Sequence, residues 1–222
     1  MAENIGKIPL DSLRLSWLLF SPGFHVRTAL RLYKRLVSLV LGGLAIVVTS
    51  PLMLLAAVAI RLDSPGPAIF HQQRVGERGK LFTVFKFRSM YAGSDKKKLT
   101  PVEDGDPRVT RVGKWLRRTR VDELPQLFNI VKGDMAFVGP RPFVPEQEEE
   151  CAANIPFYKE RWLVKPGATG WAQINRGYNA TLEDNREKLA YDLFYIKNVS
   201  FGLDLFIMFS TVKILLLGRG GR

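Results

Sequence analysis

The longest uncharged stretch of the chain runs from residue 36 to residue 60 and reads LVSLVLGGLAIVVTSPLMLLAAVAI. At ~1.5 Å of rise per residue, a helix of this length can cross a hydrocarbon core of roughly 30 Å. Pro51, in its middle, lacks the amide that would bond to the Val47 carbonyl, so we expect a bend or break there. Because serine followed by proline is also a common helix start, Ser50-Pro51 allows a second half-helix to begin at Pro51.

Basic residues flank this segment on both sides. Lysine and arginine tend to stay on the cytoplasmic side of a membrane, so a spanning helix normally has one basic flank. The sequence therefore favours a re-entrant hairpin over residues 30–62, with a kinked spanning helix and a buried helix of a soluble protein as alternatives. The flanking residues are Arg27, Arg31, Lys34 and Arg35 before the segment, and Arg61, Arg74, Arg78 and Lys80 after it.

The composition limits the partners and the metal chemistry. Thirty-three Lys and Arg against 21 Asp and Glu give a formal net charge of +12, which favours an anionic partner: nucleic acid, phospholipid head groups or a phosphorylated substrate. One cysteine, Cys151, and two histidines, His25 and His71, exclude a multi-cysteine zinc site, so any metal should be held by oxygen. The first residues lack a signal-peptide pattern, and we expect the chain to stay inside the cell.

Short strands and several helices are predicted after the apolar segment. Turn residues at Gly76–Gly79, between β-branched and aromatic residues, predict a β-hairpin whose second strand carries Lys86 and Arg88 on one face. Residues 93–108 read as a loop. The basic run 111–120 contains Trp115 and Leu116, and predicts a helix that lies on an anionic bilayer or presents a solvated basic face.

The carboxyl-terminal region predicts two further helices. Thr181 and Asp184 form a helix-start capping pattern, and that helix should run to about Lys197. Residues 199–217 suit an amphipathic helix that lies on a surface or packs on the core. The predicted fold is a mostly helical α/β arrangement with few short strands, docked on a membrane: residues 1–29 a linker or interfacial segment, 30–62 the membrane helix, and 63–222 the main domain.

Adjacent carboxylates, Asp122 and Glu123, lie in the segment RRTRVDELPQLFNIVKGDMAFVGPRP at 117–142. A carboxylate can attack a phosphoryl group, and a neighbouring one can help to hold Mg²⁺, while arginine binds phosphate oxygens through paired hydrogen bonds. The alternative is structural, because aspartate at a helix N-cap followed by glutamate in the first turn is common.

Two prolines fix the backbone around Arg141 in the sequence Gly139-Pro140-Arg141-Pro142. A rigidly presented arginine suits anion recognition, and Gly139 allows a backbone amide to approach a ligand closely. A structural turn with an exposed arginine is the alternative. The chain has no Walker-type GxxxxGK[ST] run and no GxGxxG after a strand, and two histidines do not readily complete a Ser-His-Asp set.

Four motifs together resemble the bacterial sugar transferase family, the monotopic phosphoglycosyl transferases. They are KFRSM at 86–90, DELPQLFN at 122–129, KGDMAFVGPRP at 132–142 and KPGATGWAQIN at 165–175. The resemblance covers roughly residues 30–217, and Ser50-Pro51 falls where the family places the kink of its re-entrant helix. The two ends of the chain resemble the long members of the family, so it resembles the catalytic part of such a protein.

The resemblance implies a two-step exchange on Mg²⁺-bound substrate. Asp122 attacks the β-phosphate of a UDP-sugar and releases UMP, and polyprenyl phosphate, usually undecaprenyl phosphate, then takes the sugar phosphate. Glu123 assists with Mg²⁺ or with proton handling. The family's phosphate-binding positions correspond to Lys86, Arg117 and Arg141. Further positions in matching motifs, expected to line the nucleotide or sugar site, are Arg88, Gly139, Pro140, Glu146, Gln173 and Asn175.

The resemblance also implies a place in the cell and a set of partners. It predicts an enzyme on the cytoplasmic face of the bacterial inner membrane, in contact with anionic lipid, UDP-sugar and polyprenyl phosphate. Glucose or galactose phosphate is the expected cargo, while the choice between monomer and homodimer stays open. A catalytically silent nucleotide-binding scaffold is the alternative from another class. A nucleic-acid binder rests on charge alone, because no zinc-finger, RNP or helix-turn-helix signature is present, so no nucleic-acid partner is expected.

Overall fold

The computed structural model describes residues 6–8, 10, 28–94, 105–176 and 181–217. Most of the predicted linker over 1–29 and most of the predicted loop over 93–108 lie outside these residues. Seven helices are described: α1 (Thr28–Asp63), α2 (Arg111–Thr119), α3 (Gln126–Lys132), α4 (Pro145–Asn154), α5 (Trp171–Asn175), α6 (Leu182–Lys197) and α7 (Phe201–Leu216). Four strands are described: β1 (Ile69–Val75), β2 (Leu81–Phe87), β3 (Ala136–Val138) and β4 (Gly167–Thr169).

Helix α1 contains the apolar segment and continues through Pro51, so a separate second helix beginning there is not observed. The Ser50 hydroxyl donates a hydrogen bond of 2.8 Å to the Val47 carbonyl. This is the carbonyl that the missing proline amide leaves open, and in lipid an unpaired carbonyl costs several kcal/mol. Serine before proline therefore lets the helix pass this point with its backbone satisfied. The re-entrant hairpin stays a prediction.

The middle of α1 is uncovered. Val47, Val48 and Leu54 are 70%, 69% and 67% exposed, and only 11% of the most apolar stretch of the helix is buried. A helix in the core of a soluble protein would be largely covered, so that alternative is contradicted. By length and composition α1 can cross a membrane.

Both ends of α1, unlike its middle, are held by the rest of the protein. Near the start, Lys34 Nζ lies 2.9 Å from Asp204 Oδ2, and Arg35 donates to the Ile130 carbonyl at 3.2 Å. At the other end, the Asp63 carboxylate accepts a hydrogen bond of 3.0 Å from the Val112 amide. The sequence placed Lys34 and Arg35 among the basic flanks of the apolar segment. In the structure both make contacts within the protein.

The β-hairpin predicted around Gly76–Gly79 is confirmed. Strands β1 and β2 pair antiparallel from Ile69 opposite Phe87 to Val75 opposite Leu81, around a 3₁₀ turn at Glu77–Gly79. A second, parallel pair joins β3 and β4, with Ala136 opposite Gly167.

The buried apolar residues of the described part of the chain form three clusters. One joins α1 to β2 and α2 through Ile60, Phe87 and Leu116. Another joins β2 to α3 through Val84 and Ile130. The largest is built on α6, and its buried members are Ile8, Val138, Cys151, Ile155, Tyr158, Leu189, Leu193, Tyr195, Ile196 and Ile207.

The two carboxyl-terminal helices match their predicted positions. The Thr181 hydroxyl accepts from the Asp184 amide and the Thr181 amide donates to the Asp184 carboxylate, so the capping box is confirmed, and α6 ends at Lys197. In α7 one face packs on the core through Ile207, and the other exposes Phe206 and Phe209. The lipid contact of that outer face stays a prediction.

Candidate active site

The two carboxylates follow directly after α2. Arg120 ends that helix in the left-handed conformation with φ of 59°, and the chain then forms one 3₁₀ turn at Val121–Glu123. Helix α3 begins at Gln126 with Pro125 before it and without a side-chain cap. Asp122 is therefore not an N-cap, and the capping role that was the alternative for the carboxylate pair is not observed.

Glu123 is held between two cations. Its Oε1 accepts hydrogen bonds from Lys86 Nζ at 2.9 Å and from Arg141 Nη2 at 2.8 Å. Burial opposes ionisation of Glu123, but Arg141 and Lys86 outweigh it and hold the pKa of this carboxyl well below its usual range. Glu123 is thus a fixed anion, and it brings together residues from β2 and from the loop after β3.

Asp122 has the opposite environment. Its Oδ1 is buried and has no hydrogen-bond partner among the described residues. Burial, and then the adjacent Glu123 charge, raise the pKa of Asp122, while Lys86, Arg117 and Arg120 oppose this rise. Neighbouring carboxylates with pKa values displaced in opposite directions are typical of sites where two acids have different tasks.

Lys86 and Arg88 have different surroundings although both were predicted on one strand face. Lys86 reaches Glu123, whereas the buried Arg88 guanidinium donates to the carbonyls of Pro65 and Ser64 at 2.9 and 2.6 Å. Arg88 therefore ties the end of β2 to the end of α1. Arg117, in the last turn of α2, opposes the rise in the pKa of Asp122 by its charge.

Gly139 is required by the close approach of two chain segments. A Cβ at this position would lie 2.3 Å from the Lys165 carbonyl oxygen, and the Gly139 amide donates to the Thr169 carbonyl at 2.9 Å. That amide is engaged by β4, so the glycine serves the β3–β4 pairing that carries Pro140 and Arg141 to the carboxylates. The predicted amide-to-ligand contact has no support in this geometry.

The three remaining predicted site residues lie on α4 and α5. Glu146 is exposed in the first turn of α4, and the Asn175 side chain donates to the Trp171 carbonyl at 2.8 Å within its own helix. Gln173 donates weakly to the Ala168 carbonyl at 3.4 Å, and its buried Oε1 has no partner among the described residues. Of these three residues, Gln173 is the one whose buried side-chain oxygen could accept a hydrogen bond from a ligand.

Arg74 was missed as a site residue because the sequence placed it among the basic flanks of the membrane segment. Its Nη1 donates to the Pro142 carbonyl at 3.1 Å. Burial, followed by the Arg141 charge, lowers the pKa of Arg74 to about 10, and Glu123 opposes this shift. Exposure alternates along β1 and places Gln72 and Arg74 on its less exposed face.

The charge around the carboxylates favours an anionic ligand bound with a cation. Positive side chains outnumber the two carboxylates: Lys86, Arg74, Arg117, Arg120 and Arg141. Among the described residues, no group of three or more His, Cys, Asp or Glu could hold a metal by itself. Mg²⁺ commonly takes one or two carboxylates and completes its shell with substrate phosphates and water, and the adjacent carboxylates Asp122 and Glu123 fit such a role.

Comparison with known proteins gives a consistent result. Residues 29–218 match the family described as bacterial sugar transferase. The chain is 44% identical over 220 residues to a UDP-N-acetylgalactosamine-undecaprenyl-phosphate N-acetylgalactosaminephosphotransferase of Aeromonas hydrophila, covering 98% of this chain and 51% of that protein. It is 44% identical over 223 residues to a UDP-glucose:undecaprenyl-phosphate glucose-1-phosphate transferase of Caulobacter vibrioides, covering 97% and 84%.

A third relative matches over a shorter stretch of this chain. The chain is 46% identical over 184 residues to a UDP-glucose:undecaprenyl-phosphate glucose-1-phosphate transferase of Escherichia coli K12, covering 82% of this chain and 40% of that protein. The chain thus spans about half the length, or less, of two of these relatives and most of the third.

Proposed function

The chain belongs to the bacterial sugar transferase family, and we propose that it transfers a sugar 1-phosphate from a UDP-sugar to undecaprenyl phosphate, with release of UMP. One observation carries the proposal: the buried Asp122 Oδ1 has no hydrogen-bond partner among the described residues, and it lies beside a Glu123 that Lys86 and Arg141 hold in place. A free oxygen can act as a nucleophile, and the adjacent cations can bind the phosphates that it attacks.

In the first step an Asp122 carboxylate oxygen attacks the β-phosphorus of the UDP-sugar. A carboxylate–phosphorus bond forms, the bond from that phosphorus to the bridging oxygen breaks, and the electron pair leaves with UMP. Lys86 and Arg141 bind oxygens of the transferred phosphoryl group, where negative charge develops. Glu123 orients both cations and does not become phosphorylated.

In the second step an oxygen of undecaprenyl phosphate attacks the same phosphorus. The bond to Asp122 breaks, its carboxylate is restored, and the sugar phosphate leaves as a polyprenyl diphosphosugar. Asp122 and Glu123 are the carboxylates available to a Mg²⁺ ion, which when bound would neutralise charge on the substrate phosphates. The basic residues around the pair hold the phosphate in line with the attacking oxygen.

The contacts at both ends of α1 support a re-entrant membrane anchor. A helix that crossed the bilayer would place its two ends on opposite sides, yet one protein body holds Lys34 at one end and Asp63 at the other. Charged contacts of this kind are unfavourable within lipid. The proposed location is the cytoplasmic face of the inner membrane, where UDP-sugars and the lipid head group can both reach Asp122.

UMP release by the full chain in lipid nanodiscs tests the function. UDP-glucose, UDP-galactose and UDP-N-acetylgalactosamine are supplied separately with undecaprenyl phosphate and Mg²⁺, and we expect release with at least one of them. The relatives' names differ in the sugar, so the panel also identifies the substrate. Binding of UDP-sugar without any UMP release would favour the silent scaffold instead.

The membrane geometry is tested by thiol labelling. Arg31→Cys and Arg61→Cys place one cysteine each at exposed positions on either side of the apolar segment. Because the native Cys151 is buried, labelling measures the accessibility of the introduced cysteine. With a membrane-impermeant maleimide, we expect both to react in inverted inner-membrane vesicles and neither in intact spheroplasts. A spanning helix would instead expose one of them in each preparation.

A further inference from the structure

The loop that carries Arg141 is held by donors from elsewhere in the chain. Pro140 and Pro142 lack amide hydrogens, so the loop cannot satisfy its carbonyls by regular pairing with itself. The carbonyls of residues 140 to 143 each accept a hydrogen bond from a different residue: Gly167 N at 3.0 Å, Arg161 Nη2 at 2.8 Å, Arg74 Nη1 at 3.1 Å and Val75 N at 3.1 Å. Two of these donors are arginine side chains.

Arg161 is at the centre of a buried charged network. Its side chain is 4% exposed, with Nε 2.8 Å from Asp192 Oδ2 and Nη1 3.2 Å from Glu148 Oε1. The Trp162 indole fixes the other Glu148 oxygen with a hydrogen bond of 3.0 Å. The guanidinium also lies 4.9 Å from the ring centre of Phe143, the residue that follows Pro142.

Stability alone is a poor reason to keep such a network. Desolvation of a buried ion pair commonly cancels its attraction, and apolar side chains of equal volume often do as well or better. The two carboxylates and the Tyr158 hydroxyl, which accepts from Nη1 at 2.6 Å, fix the orientation of Arg161, and its Nη2 donates to the Arg141 carbonyl. The network thus connects α4, the 3₁₀ segment Tyr158–Leu163 and α6 to the loop that contacts Glu123.

We propose that Arg161 and Arg74 are positioning residues that clamp consecutive carbonyls, those of Arg141 and Pro142, and thereby fix the Arg141 guanidinium over the carboxylate pair. Neither needs to touch substrate for this role. A displacement of about 1 Å in a phosphate-binding group can lower a rate ~10²-fold, so a rigid clamp has a direct effect on turnover. The inference rests on the proposed function for its kinetic consequence.

A double-mutant cycle on the full chain tests the clamp. Arg161→Lys keeps the charge, but its single ammonium cannot reach Asp192, Glu148 and the Arg141 carbonyl together. We expect it to lower kcat/KM for UMP release roughly 10- to 100-fold in the wild-type background and less than about 2-fold in the Arg141→Met background. An equal loss in both backgrounds would show a merely structural role and overturn the proposal.

A second variant covers the case in which Arg161→Lys does not fold. If Arg161→Lys shows no cooperative thermal unfolding, Arg74→Lys enters the same cycle, with the same expectation at the Pro142 carbonyl. Arg78→Lys, at an exposed arginine on the hairpin turn, is the matched control and should change nothing in either background.

Binding of inorganic pyrophosphate, measured by calorimetry, separates the clamp from the reaction. We expect Arg161→Lys to weaken this binding only when Arg141 is present. If wild type releases no UMP from any UDP-sugar, the proposed function fails, while the pyrophosphate cycle still decides the clamp. If Arg141→Met leaves both pyrophosphate binding and kcat/KM unchanged, there is nothing to position and the clamp is wrong.

Discussion

Asp122→Asn is expected to lower UMP release by roughly 10³-fold or more, because the amide is a poor nucleophile and cannot form the phosphoryl bond. The shape of the side chain is kept, so the fold and the cations around it should persist. Wild type incubated with a UDP-sugar labelled at the β-phosphate, without lipid acceptor, should yield a labelled chain that digestion and mass spectrometry place at Asp122. The Asp122→Asn chain should carry no label.

Glu123→Gln is the matched control for the assignment of roles. It removes the anion between Lys86 and Arg141 and should slow turnover, yet a labelled Asp122 should still accumulate. Label on Glu123, or wild-type turnover without any adduct while both substrates are bound, would replace the covalent route with direct transfer in a ternary complex.

The same two variants should shift stability in opposite directions at pH 7. The pKa of Asp122 is raised, so its ionisation costs folding stability as pH rises above its ordinary pKa of 3.8, and Asp122→Asn removes this cost and should raise Tm. The pKa of Glu123 is lowered, so its charge adds stability above its ordinary pKa of 4.5 that is lost as pH falls, and Glu123→Gln should lower Tm. A site that gains stability when its nucleophile is neutralised trades stability for activity.

Local signals in the sequence predicted most of the elements near the site. The β1–β2 hairpin follows from turn residues between alternating side chains, and the start of α6 follows from Thr181 and Asp184, which lie within one turn. Asp122, Glu123, Lys86 and Arg141 come from three separate motifs, and the structure brings Lys86 and Arg141 onto one Glu123 oxygen.

Contacts between distant segments could not be predicted from local signals in the sequence. Asp204 appeared as a charge that interrupts an apolar helix, but it is buried against Lys34 and accepts a 2.7 Å hydrogen bond from Tyr195. Arg74 appeared as a flanking charge for a similar reason. A single charge has no local partner in the sequence, and its meaning depends on which distant residue the fold brings to it. Gly139 likewise owes its role to Lys165, which no spacing rule connects to it.

The helix through Ser50-Pro51 shows a related difference between a local rule and its context. Proline predicts a break because it removes one hydrogen bond, and the Ser50 hydroxyl restores a donor to the same carbonyl. The residue that suggested a new helix start thus allows the old helix to continue.

Arg141→Met is expected to lower kcat for UMP release roughly 10²- to 10³-fold, the usual cost of removing a donor aimed at charge that develops in the transition state. Arg141 donates to Glu123 through Nη2, and a guanidinium presents its N–H donors as a planar fork that matches phosphate oxygens. In phosphoryl transfer the charge spreads over the three equatorial oxygens, so a forked donor gains contacts as the reaction proceeds. Steady-state kinetics across UDP-sugar concentrations measure kcat and KM separately.

The pattern across substitutions distinguishes this role from simple attraction. Arg141→Lys keeps a charge near Glu123 but replaces a planar fork with a single ammonium, so we expect it to recover only part of kcat. Arg78→Met, at an exposed arginine on the hairpin turn, should leave both constants unchanged. If Arg141→Met raised KM and left kcat intact, the arginine would bind ground state and transition state equally, and stabilisation of the reacting phosphoryl group would then belong to Lys86 and to the cation bound with the substrate.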